Sequence, residues 1–388
     1  MSNHAYDVVI VGGGPIGAAL AIALQGSGLK VLVLEARPDA SNSSDARTLA
    51  MSYGSRLILE RLGIWSQIEP ITPIESIHVS QRGGFGRTLL SANEAGLPAL
   101  GYVVRYARLQ QAFGKAIGSE NTTLMAGAEV VGMGPADEAV RIGYRAQGIM
   151  HSAAARLLVI ADGGASAALR AGAAVKVREY GQDAVVGLVE TSRPHGRKAF
   201  ERFTPDGPIA LLPFENRYAL VWTATPEAAT GLMGLPAAGF LEKLQGHFGD
   251  RAGRFISTEA RARFPLILRY AVDPVLPRAV MLGNAAQALH PIAGQGFNLG
   301  LRDAWELGET LLLQAARDPG ADECLSSYRT TRRPDRLPGI VLTHSLVKIF
   351  SNDFAPLQAT RGAALALLDL VPPAKRIFMQ RMIFGASR

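Results

Sequence analysis

A run of glycines between two short apolar stretches restricts this chain more than any other feature. Tyr6–Val11 (YDVVIV) meets Gly12-Gly13-Gly14-Pro15-Ile16-Gly17; Ala18–Gln25 follows as a small, apolar helix pattern, and Lys30–Glu35 (KVLVLE) as a second strand. Strand, glycine turn, helix and strand make a βαβ unit closed by an acid. In that context Gly12 makes the tight turn, Gly14 admits a pyrophosphate and Gly17 lets helix meet strand. The helix N-terminus then faces the phosphates, and Glu35 accepts from ribose hydroxyls. The fold class that follows is α/β, with a parallel sheet carrying a dinucleotide cradle.

A second stretch asks for a ligand of its own. Val280–Asp303 (VMLGNAAQALHPIAGQGFNLGLRD) runs from a buried strand through a turn at Pro291–Gly296 into a helix from Phe297. Gly294 and Gly296 let backbone N–H groups approach a ligand with no Cβ between, and the helix adds its positive end. The pattern suits something flat that carries or develops negative charge; an ordinary strand-to-helix loop is the competing reading.

Between these stretches the period changes. Ala155–Ala161 (ARLLVIA) reads as a buried central strand ending on Asp162-Gly163, which is either a ligand contact at a strand's carboxyl end or a plain turn. Arg47, after the polar loop Ser41–Asp45, reads equally as a phosphate clamp and as a solvated cation. Arg108–Ile117 places Leu109, Phe113 and Ile117 on one helical face. Lys198–Phe203, Ile209–Pro213 and Tyr218–Ala224 form an antiparallel meander, the pattern of a second domain, in which Phe203, Leu211, Phe214 and Trp222 line either a cavity or the sheet core. From Pro334 the chain is largely helical, with a break at Pro372-Pro373. Lys375–Phe384 mixes basic and large apolar residues and suits either a membrane surface or packing on the body.

Composition excludes several classes. With 48% hydrophobic and 19% charged residues the chain is globular, and its net +7 is spread too thinly for nucleic-acid binding. An anionic cofactor or an anionic membrane face fits that charge better. The single Cys324 forms no internal disulfide and suits a reducing compartment. No apolar run approaches the roughly 20 residues needed to span a bilayer, and Met1–Ala5 carries no secretory pattern. The expected location is cytoplasmic, with peripheral contact at the inner face of the membrane left open. The seven histidines form no HExxH and no metal-ligand cluster, and there is no G-x-S-x-G elbow or GKS/T loop. His290 beside Pro291 reads as shaping a pocket rather than as a base. A nucleotide cradle without acid–base or nucleophile machinery leaves the hard chemistry to a cofactor.

Three motifs in this order resemble those of the FAD-dependent aromatic-ring monooxygenases: the N-terminal fingerprint with Glu35, IADGGASAALR around Asp162, and LGNAAQALHPIAGQGFNLGLRD. Together with AFERFTPDGPIALLPF, they make the chain similar to the ubiquinone-biosynthesis hydroxylases, in particular the branch acting on polyprenyl-methoxyphenols. The resemblance implies a p-hydroxybenzoate hydroxylase-like fold. Residues 1–73, 103–175 and 266–330 would form a Rossmann-like FAD-binding domain, 74–102 and 176–265 an interleaved antiparallel substrate domain, and 331–388 a C-terminal helical segment.

Carried over by position, Gly12, Gly14, Gly17 and Glu35 hold the ADP half of FAD, Arg47 lies near the pyrophosphate, and Asp162 serves FAD and pyridine-nucleotide interaction. Gly294, Gln295, Gly296, Phe297 and Asn298 wrap the isoalloxazine. The wider family has Gly-Asp at Gly283-Asn284 and Ala-His at Ala286-Gln287, and many relatives have Gly at Ile160; Asn284 can still bond a ribitol hydroxyl. The implied chemistry is reduction of FAD by NAD(P)H, capture of O2 as a C4a-hydroperoxide, and oxygen transfer to a phenol ring in a water-free pocket. A polyprenylated substrate implies contact with a membrane surface or a ubiquinone-biosynthesis protein complex, and leaves a homo-oligomer open. Rival readings are another FAD-dependent oxidoreductase of aromatic or isoprenoid substrates, and a non-catalytic flavoprotein member of such an assembly. A nicotinamide dehydrogenase would leave the stretch after Val280 unexplained.

Overall fold

A computed structural model describes residues 6–39, 47–136, 138–164, 167, 171–314, 317–350 and 355–386; the loop Ser41–Asp45 and part of the IADGGASAALR motif lie outside them. The expected βαβ unit is present as strand Tyr6–Val11, helix Pro15–Ala23 and strand Val31–Glu35. The two strands run parallel with Val8 opposite Val31 and Ile10 opposite Val33. Ile149–Ile160 flanks the first strand in parallel, and Ala279–Met281 lies beyond it. Because strand side chains alternate between faces, Val8, Ile10, Val31, Val33, Leu157 and Val159 enter one core. Val9, Val11, Leu32, Leu34, Leu158 and Ile160 enter the other. Burial on both faces is why these strands read as unbroken apolar runs.

Among the described residues the second sheet has nine strands. Lys198–Thr204, Gly207–Phe214 and Arg217–Ala224 form the expected meander. Arg217–Ala224 pairs with Val175–Thr191, a 17-residue strand whose first half is largely exposed. Its residues Val175 to Val186 pair with Ala262–Ala271, with a register shift between Glu179 and Gln182. On the other side, Ser76–Gln81 lies parallel to Lys198–Thr204. Helices Pro226–Gly234 and Ala237–Phe248 cover one face, where Leu211, Tyr218 and Trp222 pack with Phe240 and Phe248. The opposite face looks toward the glycine turns.

Several expected boundaries move. Val175–Thr191 and Ala262–Ala271 each belong wholly to the second sheet, so the divisions at 175/176 and 265/266 cut paired strands. A three-stranded sheet of Thr48–Ser52, Gly101–Arg105 and Thr72–Ile74 spans the divisions at 73/74 and 102/103. The division at 330/331 falls inside helix Asp322–Phe350, which runs through Pro334 and Pro338. An internal proline costs a helix about 3 kcal/mol. Here buried ion pairs anchor the helix on either side of Pro334: Arg332 to Asp303 at 2.8 Å and Asp335 to Arg302 at 2.7 Å. Two more helices follow, Ala355–Leu370 and Pro372–Phe384. No helix among the described residues is long and apolar enough to cross a membrane.

Candidate functional site

The N-terminal glycines divide into two kinds. Gly12 has φ +106°, and a Cβ there would stand 2.4 Å from the Ala161 carbonyl oxygen; one on Gly17 would stand 2.0 Å from the Gly12 oxygen. Those two allow the turn itself. A Cβ on Gly14 would meet nothing within 4 Å, so that glycine keeps space open for a ligand. It is also the N-cap of helix Pro15–Ala23 and supplies no side-chain cap. The same arrangement recurs at the other stretch. Gly294, at φ +60°, caps helix Gln295–Leu313 without a side-chain bond, which starts that helix two residues earlier than its sequence pattern suggests. Gly296 again faces open space. Two helix N-termini, each with unsatisfied N–H groups and a positive dipole end, thus open on one cavity of about 970 Å³. That volume lies at the upper end of the roughly 300–1,000 Å³ usual for ligand pockets.

The cavity brings together Gly12, Gly14, Glu35, Arg47, Asp162, Asn284, Pro291, Gly294, Gln295, Gly296, Phe297 and Asn298. Gly17 serves from beneath. Glu35 is buried and already engaged: Gly13 N–H donates to Oε2 at 2.8 Å, and Arg37 donates through N at 2.9 Å and Nε at 2.7 Å to Oε1. Burial pushes its pKa up, but the Arg37 and Gly13 bonds outweigh this and hold it below the ordinary value. A ribose hydroxyl bound here would have to share this carboxylate with Arg37. Arg47 lies over the rings of Tyr106 and Phe264, 5.4 and 5.2 Å from their centroids. Asp162 ends the strand Ile149–Ile160 against Gly12 and accepts from Gly164 N–H at 3.0 Å; burial raises its pKa.

Two of the expected site residues are engaged by the protein itself. Asn298 borders the cavity, but its side chain is spent on the protein. Oδ1 accepts from Ser52 N–H at 2.8 Å and Ser55 Oγ at 2.7 Å, and Nδ2 donates to the Gly294 carbonyl at 2.7 Å. That side chain clamps the glycine corner to strand Thr48–Ser52. His290 does not line the cavity; Leu289, Pro291 and Ile292 do. His290 is fully buried behind them, where Nδ1 accepts from Ile292 N–H at 3.2 Å and burial lowers its pKa to about 4. It is a neutral wedge under Pro291. Of the four apolar candidates on the meander, Phe203 lines the cavity, whereas Leu211, Phe214 and Trp222 are core. Lys375–Phe384 packs on the body: Met379 and Ile383 are buried beside Leu90 and Leu100, and Lys375 pairs with Glu94 at 2.8 Å.

Sequence reasoning missed three groups. Glu201 opens into the apolar end of the cavity. Leu365, Leu368, Met379 and Met382 close that end from the C-terminal helices. The third group is a buried polar network behind the corner. Gln287 donates to Asp303 at 2.6 Å and accepts from Arg336 at 2.7 Å, while Arg332 bonds the other Asp303 oxygen. The Gln287 departure from the wider family is thus matched by an arginine that needs its oxygen. An alternating Ala199-Glu201-Phe203 face was the available signal for the first.

The fold and cradle agree with known proteins. The family model described as FAD binding domain matches residues 5–336. The chain belongs to this family. Over 98% of its length this FAD-binding protein is 36% identical to ubiquinone hydroxylase UbiL of Rhodospirillum rubrum, of which it covers 90%. Over 97% it is 31% identical to 3-demethoxyubiquinol 3-hydroxylase of Escherichia coli, of which it covers 98%. Among solved structures, p-nitrophenol 4-monooxygenase PnpA of Pseudomonas putida superposes with a TM-score of 0.77 at 17% identity, over 99% of both chains. The probable FAD-dependent monooxygenase pqsL of Pseudomonas aeruginosa gives 0.74 at 22% identity, over 94% of this chain and 99% of that one. At such identities these two establish the fold. The chain is a FAD-dependent monooxygenase of the ubiquinone-hydroxylase group, a class for which NAD(P)H and O2 are typical.

The residues present fit FAD. Its diphosphate needs N–H donors and a bare backbone, which Gly14 and the uncapped helix behind it offer; its ring needs a flat, electropositive seat, which Gly294 and Gly296 offer.

Proposed function

We propose that this flavoenzyme hydroxylates the ring of a polyprenyl-methoxyphenol in ubiquinone biosynthesis. One observation carries the reading: the glycine corner and the apolar face of the second sheet line a single cavity, closed by the C-terminal helices. Bound FAD, reduced by NAD(P)H, supplies an activated oxygen atom from O2 to an electron-rich ring. The protein's own part is to bind, orient and keep dry. Gly12 shapes the turn, Gly14 admits the diphosphate, and Arg47 and the uncapped N-termini neutralise its charge. The Gly294–Gly296 backbone would hold the flavin ring, and the helix N-terminus there would stabilise negative charge developing on it. Val79, Phe203, Leu212, Leu365 and Met379 exclude water from the reacting end, which protects a reactive oxygen species from loss.

The same walls suit an isoprenoid tail, and the outer side of the closing helices supports a lipid source for it. Leu367, Leu370 and Ile377 are exposed there, with Arg376 and Arg381 exposed on the last helix. Apolar residues beside cations favour an anionic membrane surface. Quinone profiling of a strain lacking the gene tests the reading. The expected result is loss of ubiquinone with build-up of a polyprenyl-methoxyphenol or its precursor phenol; unchanged ubiquinone contradicts it.

A further inference from the structure

Among the described residues lining the apolar end of the cavity, Glu201 alone is ionisable. Its place follows from register. On strand Lys198–Thr204, Ala199, Glu201 and Phe203 share the cavity face, and the residues opposite Glu201 on the two neighbouring strands are Val79 and Ala210. The charges on these strands occupy the other face: Lys198 and Arg202 alternate away, Arg202 reaches Ser80 Oγ at 3.5 Å, Arg87 pairs with Ser80, and His78 lies against Phe200. The elements packed around the cavity also carry His290, Tyr180, His344, Lys348 and Arg361, none of which lines it. None of them is among the causes of the Glu201 shift: burial alone raises it, to about 7.

Glu201 makes no hydrogen bond or ion pair with any other residue of the described chain. Glu201 is half-buried and opens onto the cavity; a carboxylate on an apolar wall with no protein donor is costly, so its donor has to come from what the cavity holds. Phe203, next along the same face, packs against Ile292, the residue after Pro291 at the glycine corner. The acid therefore faces the space between the sheet and the seat of the flavin ring.

We infer that Glu201 is the catalytic base that takes the phenolic proton of the substrate. The phenol O–H bond breaks, the proton passes to a Glu201 oxygen, and the electron pair stays on the phenolate oxygen, which enriches the ring that receives oxygen. This rests on the ring-hydroxylation reading, and the test separates the two.

The FAD holoenzyme, Glu201→Gln and Glu201→Asp are each titrated with a short-chain prenyl-methoxyphenol and with its O-methyl ether, following flavin absorbance across pH, and product formation is measured in parallel. The expected result is that wild type prefers the phenol by about tenfold or more, as for a charge-assisted hydrogen bond, and that the preference fades as pH falls through 7. Glu201→Gln loses that pH-dependent preference, and its hydroxylation rate drops about 10²-fold or more. The rate deficit shrinks with more acidic, fluorinated phenols, and Glu201→Asp keeps the pH limb. A Glu201→Gln enzyme with the wild-type preference and the wild-type pH limb overturns the inference, as does a wild type that binds phenol and ether equally. A wild type that shows the preference but yields no hydroxylated ring overturns the ring-hydroxylation reading and upholds Glu201 as the phenol's acceptor.

Discussion

Replacing Glu201 by Gln should make the substrate-free protein more stable, and only at higher pH. The carboxyl has an ordinary value of 4.5 and is raised to about 7 by burial. A group raised in the folded state contributes stability that is fully present below its unfolded value and is lost as pH rises through the folded value. At about 1.4 kcal/mol per pH unit, the gap amounts to roughly 3 kcal/mol by pH 8. Water in the open cavity relieves part of that, so a gain of about 1–3 kcal/mol is expected for Glu201→Gln, with little difference near pH 5. In a chain of this size that corresponds to a Tm rise of about 1–4 °C. Thermal melts of both proteins, FAD-loaded and substrate-free, at pH 5 and pH 8 measure it directly. Shared acid-sensitive groups cancel in the comparison. A variant that is no more stable at pH 8, or an offset that does not change with pH, would refute the reasoning.

Other substitutions separate holding the flavin from holding the fold. Gly14→Val places its side chain in open space, so the melt should be nearly unchanged while FAD affinity, measured by fluorescence of released flavin, falls at least tenfold. Gly12→Val meets the Ala161 carbonyl, and soluble expression should fail. Arg332→Met leaves Asp303 and Asp335 without their shared buried partner; urea unfolding should show a loss of about 3–5 kcal/mol. His290, with a pKa near 4, contributes stability present above the unfolded value of about 6.5 and lost as pH falls toward 4. Its ring resonances should therefore not move between pH 6 and pH 8.

Much of the fold is readable from pattern alone because its central strands are buried on both faces and its meander alternates. The long strand Val175–Thr191 escaped because its first half is largely exposed, held by pairing with Ala262–Ala271 instead of by burial. Alternation tells which residues share a face but not which face meets the cavity, so Leu211 and Leu212 were indistinguishable until the covering helices were seen. At the site, the glycines are legible because bare backbone and uncapped helix ends are local properties. Asn298, Glu201 and the Asp303–Arg332 pair are not, since each owes its role to partners far away in the chain: Ser52, Val79 and a helix spanning two prolines.

The most direct measurement of the central claim is a single-turnover reaction of the reduced FAD holoenzyme with isotopically labelled O2 and a prenyl-methoxyphenol, followed by mass spectrometry of the ring. The account predicts a hydroxylated ring carrying one labelled oxygen atom, formed in step with flavin reoxidation. Flavin reoxidation that yields only labelled hydrogen peroxide, with the phenol bound and unaltered, would contradict it.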